Sequence, residues 1–111
     1  MDPATAQDEL TSTVATNVAG SYSGTYGGGD TGTWTLTIDS SGNVSGSYTG
    51  SKDSGPVSGA LVNGTTFTGA AGSATWIGTV DTSKSATTGT GPYLFTGTWT
   101  NGDTASGSFT N

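Results

Sequence analysis

From Gly20 onward, apolar and polar positions alternate around a short recurring unit: apolar residue, x, glycine, x, apolar residue. Seven segments fit it, namely YSGTY (22–26), VSGSY (44–48), VSGAL (57–61), FTGAA (67–71), WIGTV (76–80), FTGTW (95–99) and ASGSF (105–109). The apolar ends define the unit, so the independent test is the pair of x positions. Ser or Thr fills 11 of those 14, against about five expected from 39 Ser and Thr among 111 residues. A period of two places both apolar ends and the central glycine on one face and the hydroxyls on the other, the pattern of a half-buried antiparallel strand. An eighth segment, TWTLTI (33–38), lacks the glycine but alternates more cleanly, with Trp34, Leu36 and Ile38 on one face and three threonines on the other.

Between these segments stand GGGDTG, DSSGN, SKDSGP, Asn63-Gly64 and Asn101-Gly102-Asp103, all rich in residues that favour turns. Short turns make sequential strands spatial neighbours. The expected fold is all-β: an antiparallel up-and-down meander of about eight short strands, either a closed barrel or a flattened sandwich. The longest linker, residues 81–92, is expected to be the most mobile loop. Residues 1–19 form a tail distinct from the single domain at 20–111. In the tail, Asp2-Pro3 offers an N-cap and first helical position, and Ala6, Leu10, Val14 and Val18 recur every four residues, which predicts a short helix. Leu10, Ser12, Val14, Thr16 and Val18 would equally share one face of an extended strand.

Composition narrows the classes of function. One domain is all that 111 residues support, and without cysteine it must be held by packing and backbone pairing alone. Gly, Ser and Thr make up 59 residues while only ten are charged, a balance expected of an exported protein at a cell surface or outside the cell. The N-terminal MDPATAQDEL has no apolar core, so a secretion signal is expected to have been removed ahead of this numbering. A net charge of −6 with only Lys52 and Lys84 as cations argues against nucleic-acid binding, and no apolar run reaches the roughly 20 residues of a transmembrane helix. Histidine, cysteine and arginine are all absent, which removes the commonest general bases, thiol nucleophiles and oxyanion clamps. The expectation is a non-enzymatic protein with no cofactor and no metal. Asp39-Ser-Ser-Gly-Asn43 has the residue types of a calcium loop, but its spacing departs from an EF-hand and suits a hairpin turn better.

A glycine on the inner face of nearly every strand packs nothing and costs backbone entropy, so it must serve a purpose. Such glycines either make room for rings from neighbouring strands and allow tight coiling, or leave a hollow lined by aromatics. In a hollow barrel Tyr22, Tyr26, Trp34, Tyr48, Trp76 and Trp99 are the expected ligand-binding residues, with tyrosines as polar handles. The charged residues after position 20 all fall at expected turns, and the strands lack the lysines and prolines that usually block open edges. The sheet must then close on itself, or pair an edge with a protein partner or another copy, with residues 8–18 as a donated strand. The leading expectation is an interaction or structural module in an extracellular assembly. A small-ligand barrel is the alternative, and carbohydrate or surface binding through the Ser/Thr face is the third.

The stretch SGTYGGGDTGTWTLTIDSSGNVSGSYTG (23–50) resembles the opening hairpin of avidin-type, calycin-like barrels: a Gly-Thr-aromatic start, a strand, a turn and a closing Gly-x-Tyr. The resemblance covers about a quarter of the chain and implies an eight-stranded barrel with a biotin pocket, in which Tyr48 would face the ligand's ureido oxygen. Gly28, Thr31 or Gly32, and Gly50 stand where that family carries its asparagine and serines. Gly/Thr-rich β domains of bacterial surface proteins look similar in composition.

Overall fold

In the computed structural model, which describes residues 13–102 and 104–111, eight antiparallel strands follow one another around a closed barrel. They are β1 (Gly20–Gly28), β2 (Gly32–Ile38), β3 (Asn43–Gly50), β4 (Ser54–Asn63), β5 (Thr66–Ala71), β6 (Ala74–Asp81), β7 (Leu94–Asn101) and β8 (Ala105–Thr110). Each contains one of the eight alternating segments. The barrel replaces the sandwich alternative, because β8 returns to β1 through Thr25–Gly28 against Gly107–Thr110. Every strand therefore has a neighbour on both sides, and among the described residues no strand of the meander stands at an open edge. In β2 and β6 the buried and exposed positions alternate strictly, with Trp34, Leu36, Ile38, Trp76, Gly78 and Val80 inside.

Antiparallel order divides the connections between two ends. The β2–β3, β4–β5 and β6–β7 connections lie at one end, which is closed. There a helical segment, α1, described over 13–18, plugs the barrel with Ala15 and Val18, and the buried Tyr22 hydroxyl donates to the Val18 carbonyl at 2.7 Å. Helix thus replaces the extended alternative over 13–18. The remainder of that segment, with Asp2-Pro3, Ala6 and Leu10, lies outside the described residues.

The long β6–β7 connection is tied down rather than loose. The β1–β8 seam pairs only four residues, so the N-terminal half of β1 would be left open on that side. Thr90 closes it by exchanging backbone bonds with Ser23 at 2.9 and 3.0 Å. The fully buried Asn111 secures the same loop: its Oδ1 accepts the Phe95 N–H at 2.7 Å, and its Nδ2 donates to the carbonyls of Thr90 and Tyr93. Its backbone oxygen accepts the N–H groups of Thr87, Thr88 and Gly89. A linker of this composition reads as mobile because the anchoring residue, Asn111, lies two strands further along the chain.

Phe95, with no exposed surface, is the hub of the interior. Its ring lies 5.5–6.1 Å from those of Tyr22, Trp34, Phe67, Trp76 and Phe109, spacings typical of favourable aromatic pairs. The glycines make this arrangement possible. A Cβ on Gly78 would sit 2.7 Å from both Phe95 and Phe109, and one on Gly59 would sit 2.6 Å from the Trp76 ring. Ring-accommodating glycine and hollow interior are thus not exclusive, since the rings crowd the centre and leave the other end free.

Candidate functional site

The open end carries the β1–β2, β3–β4, β5–β6 and β7–β8 connections, and from it a cavity of about 380 Å3 descends to the Phe95 ring. That volume falls within the range of small-molecule sites, roughly 300–1,000 Å3. Its walls are the inward positions of the strands: Trp34 and Leu36 from β2, Tyr48 from β3, Val57 from β4, Trp76 from β6 and Trp99 from β7. Tyr26 from β1 and Phe109 from β8 complete them.

Polar atoms of the walls are already engaged. Each indole N–H donates to a backbone carbonyl of the wall: Trp34 to Thr25 at 3.1 Å, Trp76 to Ala70 at 3.3 Å, and Trp99 to Gly27 at 3.2 Å. With its indole donors consumed in this way, the wall shows the cavity ring surface. Edge-to-face contacts of Tyr26 with Tyr48 and Trp99, at 6.2 and 5.9 Å, and of Phe109 with Trp34 and Trp76, at 5.7 and 6.0 Å, fix the ring orientations.

At the mouth two tyrosine hydroxyls face two carboxylates. Tyr48 donates to Asp53 Oδ2 at 2.8 Å, and Tyr26 makes a longer contact to Asp30 Oδ2 at 3.4 Å. Asp30 Oδ1 also accepts from the Thr31 N–H, the Ser51 hydroxyl and the Lys52 N–H, which staples the first connection to the third. These donors, the Ser51 hydroxyl foremost, hold the Asp30 carboxyl below its ordinary pKa. Burial, then the neighbouring Asp30 charge, pushes the Tyr26 phenol up to about 12, and burial with the Asp53 bond raises that of Tyr48. Both hydroxyls therefore keep their protons at neutral pH. Lys52 Nζ donates to the Gly29 carbonyl at 3.0 Å, and Asn101 Nδ2 to Ser73 Oγ at 3.1 Å, so the rim is cross-linked.

Five of the six expected site residues, Tyr26, Trp34, Tyr48, Trp76 and Trp99, come together on this cavity. Tyr22 does not. It points inward from the same strand, but four residues nearer the closed end, where it packs on Phe95 and caps α1. Sequence reading missed the rim: Asp30, Lys52 and Asp53 stood out only as turn residues. The available signal was parity, since in an up-and-down barrel alternate connections share an end. The Asp39 loop, the calcium candidate, uses its carboxylate locally: Oδ1 accepts the Ser41 and Asn43 N–H groups, the geometry of a hairpin turn. The Tyr48 hydroxyl, which the avidin-type resemblance would aim at a ureido oxygen, gives its proton to Asp53, and a Cβ on Gly50 would strike the Tyr26 hydroxyl. No family model, curated protein or solved structure matches the chain.

Proposed function

We propose that this chain is a non-enzymatic barrel that binds a small molecule with an apolar or planar body through its open end, and that it works outside the cytoplasm. The observation that carries the reading is the cavity itself: ring-walled, stripped of free indole donors, floored by Phe95 and lined at its mouth by Asp30, Lys52, Asp53 and Ser73. The helix plug at the other end supports it, since a barrel serving only as a structural spacer gains nothing from sealing one end and leaving the other hollow. Closure of the β1–β8 seam removes the open edge on which a strand-exchange assembly would rest. The Ser/Thr face lies on the convex outside of that closed wall, which favours the interior as the recognition surface. Location outside the cell rests on composition, with its low charge and abundance of Gly, Ser and Thr.

The test is tryptophan fluorescence titrated with a panel of ring-containing compounds, with native mass spectrometry of protein purified from its host. Trp34, Trp76 and Trp99 all face the cavity, so a ligand there should change their emission. Ala71→Phe, which fills the cavity from β5, should abolish the response while leaving the unfolding midpoint close to the wild-type value. A full panel without response and a host-purified protein without a retained mass would refute the reading.

A further inference from the structure

Granting the binding-barrel reading, the geometry points to an organic cation, an amine or quaternary ammonium on an apolar body, as the ligand class of this cavity. Three observations at separate depths support it. The wall is built of the faces and edges of Trp34, Trp76, Trp99, Tyr26 and Tyr48, and aromatic faces are the surfaces that attract a cation once water is excluded. Above them, both tyrosine hydroxyls point their protons at carboxylates, so toward a ligand they offer lone pairs and not donors. Above these again, Asp30 and Asp53 place two negative charges on the rim of the same opening. The ring wall, the two hydroxyls and the two carboxylates thus all favour positive charge or hydrogen-bond donors.

The opposing group is Lys52, which also lines the mouth. It is drawn aside by the Gly29 carbonyl and leaves the three side chains with a net charge of −1. Its presence sharpens the proposal, because an anion-binding cavity and a cation-binding cavity predict opposite effects of removing it. A carboxylate ligand would need Lys52 as its counter-ion. A cation would bind better without it.

The experiment compares three probes with one apolar body: benzyltrimethylammonium, its neutral carbon isostere neopentylbenzene, and phenylacetate. Affinities are read by tryptophan fluorescence and isothermal calorimetry on the intact chain. The ammonium should bind about tenfold more tightly than the neutral isostere, and the carboxylate more weakly than either. Asp53→Asn, which keeps the side chain's shape and an acceptor for Tyr48, should cut the preference for the ammonium over its neutral isostere several-fold. Lys52→Gln should raise ammonium affinity. Equal binding of all three probes would overturn the cation class while sustaining the binding barrel, and tightest binding of phenylacetate, weakened by Lys52→Gln, would replace it with an anion class. Binding of none of them would also overturn the cation class, leaving the barrel reading to the broader panel and the Ala71→Phe control.

Discussion

Tyr22 and Tyr26 stand one above the other on the inner face of β1, separated by a single run of the recurring unit, and the barrel treats them in opposite ways. Tyr22 is 1% exposed, packs on Phe95 and spends its hydroxyl on the end of α1. Tyr26 is partly exposed and turns its hydroxyl toward a carboxylate at the mouth. The same contrast runs through the whole molecule. At the closed end Ile38, Val44, Phe67 and Val80 fill the interior beneath α1, whereas at the open end the rings line a wall and leave the axis empty. A repeated unit therefore does not produce a repeated environment. What differs is the object beyond each end: a plug on one side, and on the other four short connections that tie to one another around the opening.

The floor between the two regions is where a single change should do most damage. Phe95→Ala removes a fully buried ring that touches both the plug side and the cavity side, and the expected cost is about 3–5 kcal/mol. Urea denaturation should show that loss, and the cavity should deepen enough to admit a longer probe than the wild-type protein accepts. A cost under about 1 kcal/mol would mean that the two halves collapse together and that Phe95 is not the partition.

Asn111→Ala attacks the closed end from its edge. It leaves the buried Phe95 N–H without the acceptor it now has and takes the Asn111 donor from the Tyr93 carbonyl, while the Thr90 carbonyl keeps the Ser23 N–H, and an orphaned buried group costs about 1–3 kcal/mol. Hydrogen exchange should then accelerate at Ser23 and Thr90, which close the seam, and at Phe95, while amides around the mouth keep their rates. Uniform acceleration would show that the loop is not a separate element.

This anchoring also marks the limit of what was readable along the chain. All eight strands were legible, because a period of two survives any tertiary context in which one face is buried. The rings of the cavity were legible for the same reason. Barrel and sandwich were not separable, since they share that alternation and differ only in whether the last strand meets the first. Tyr22 was placed among the ligand residues because periodicity gives the face of a side chain but not its depth along the axis. Depth came from α1, a segment whose pattern suited a helix and a strand equally. Asp30 and Asp53 were read singly as turn formers, although each holds a tyrosine from a wall strand, because a carboxylate's partner across a barrel mouth leaves no local signature.

The paired substitutions Tyr22→Phe and Tyr26→Phe put a magnitude on the contrast. Removing the Tyr22 hydroxyl leaves the Val18 carbonyl unpaired in a dry site and should cost about 1–2 kcal/mol. The 3.4 Å contact of Tyr26 lies at a wet rim, and its loss should cost under about 0.5 kcal/mol. Equal costs would show that the open end is as dry as the closed one, and would count against an accessible cavity.

Alkaline pH probes the same two phenols with a smaller effect. Burial is the leading cause in both, and it pushes each up to about 12, with Tyr93 adding to Tyr22 and the Asp30 charge adding to Tyr26. An unfolded chain gives up its phenolic protons near pH 10, so between about 10 and 12 the folded state binds more protons than the unfolded state. Their contribution to stability is thus intact below pH 10 and declines as pH rises through the folded values. The unfolding midpoint should be flat on the neutral side of that window and fall across it, with a shallower fall in Tyr22→Phe. In Tyr26→Phe the slope should also lessen and lose its dependence on salt, whereas Tyr22→Phe should keep it, because the Asp30 component acts on Tyr26 at a solvent-facing rim where screening reaches it while the Tyr22 environment is shielded. A salt response of equal size in both variants would mean that the charge at the mouth does not reach into the barrel, and would remove the electrostatic ground for preferring a cation there.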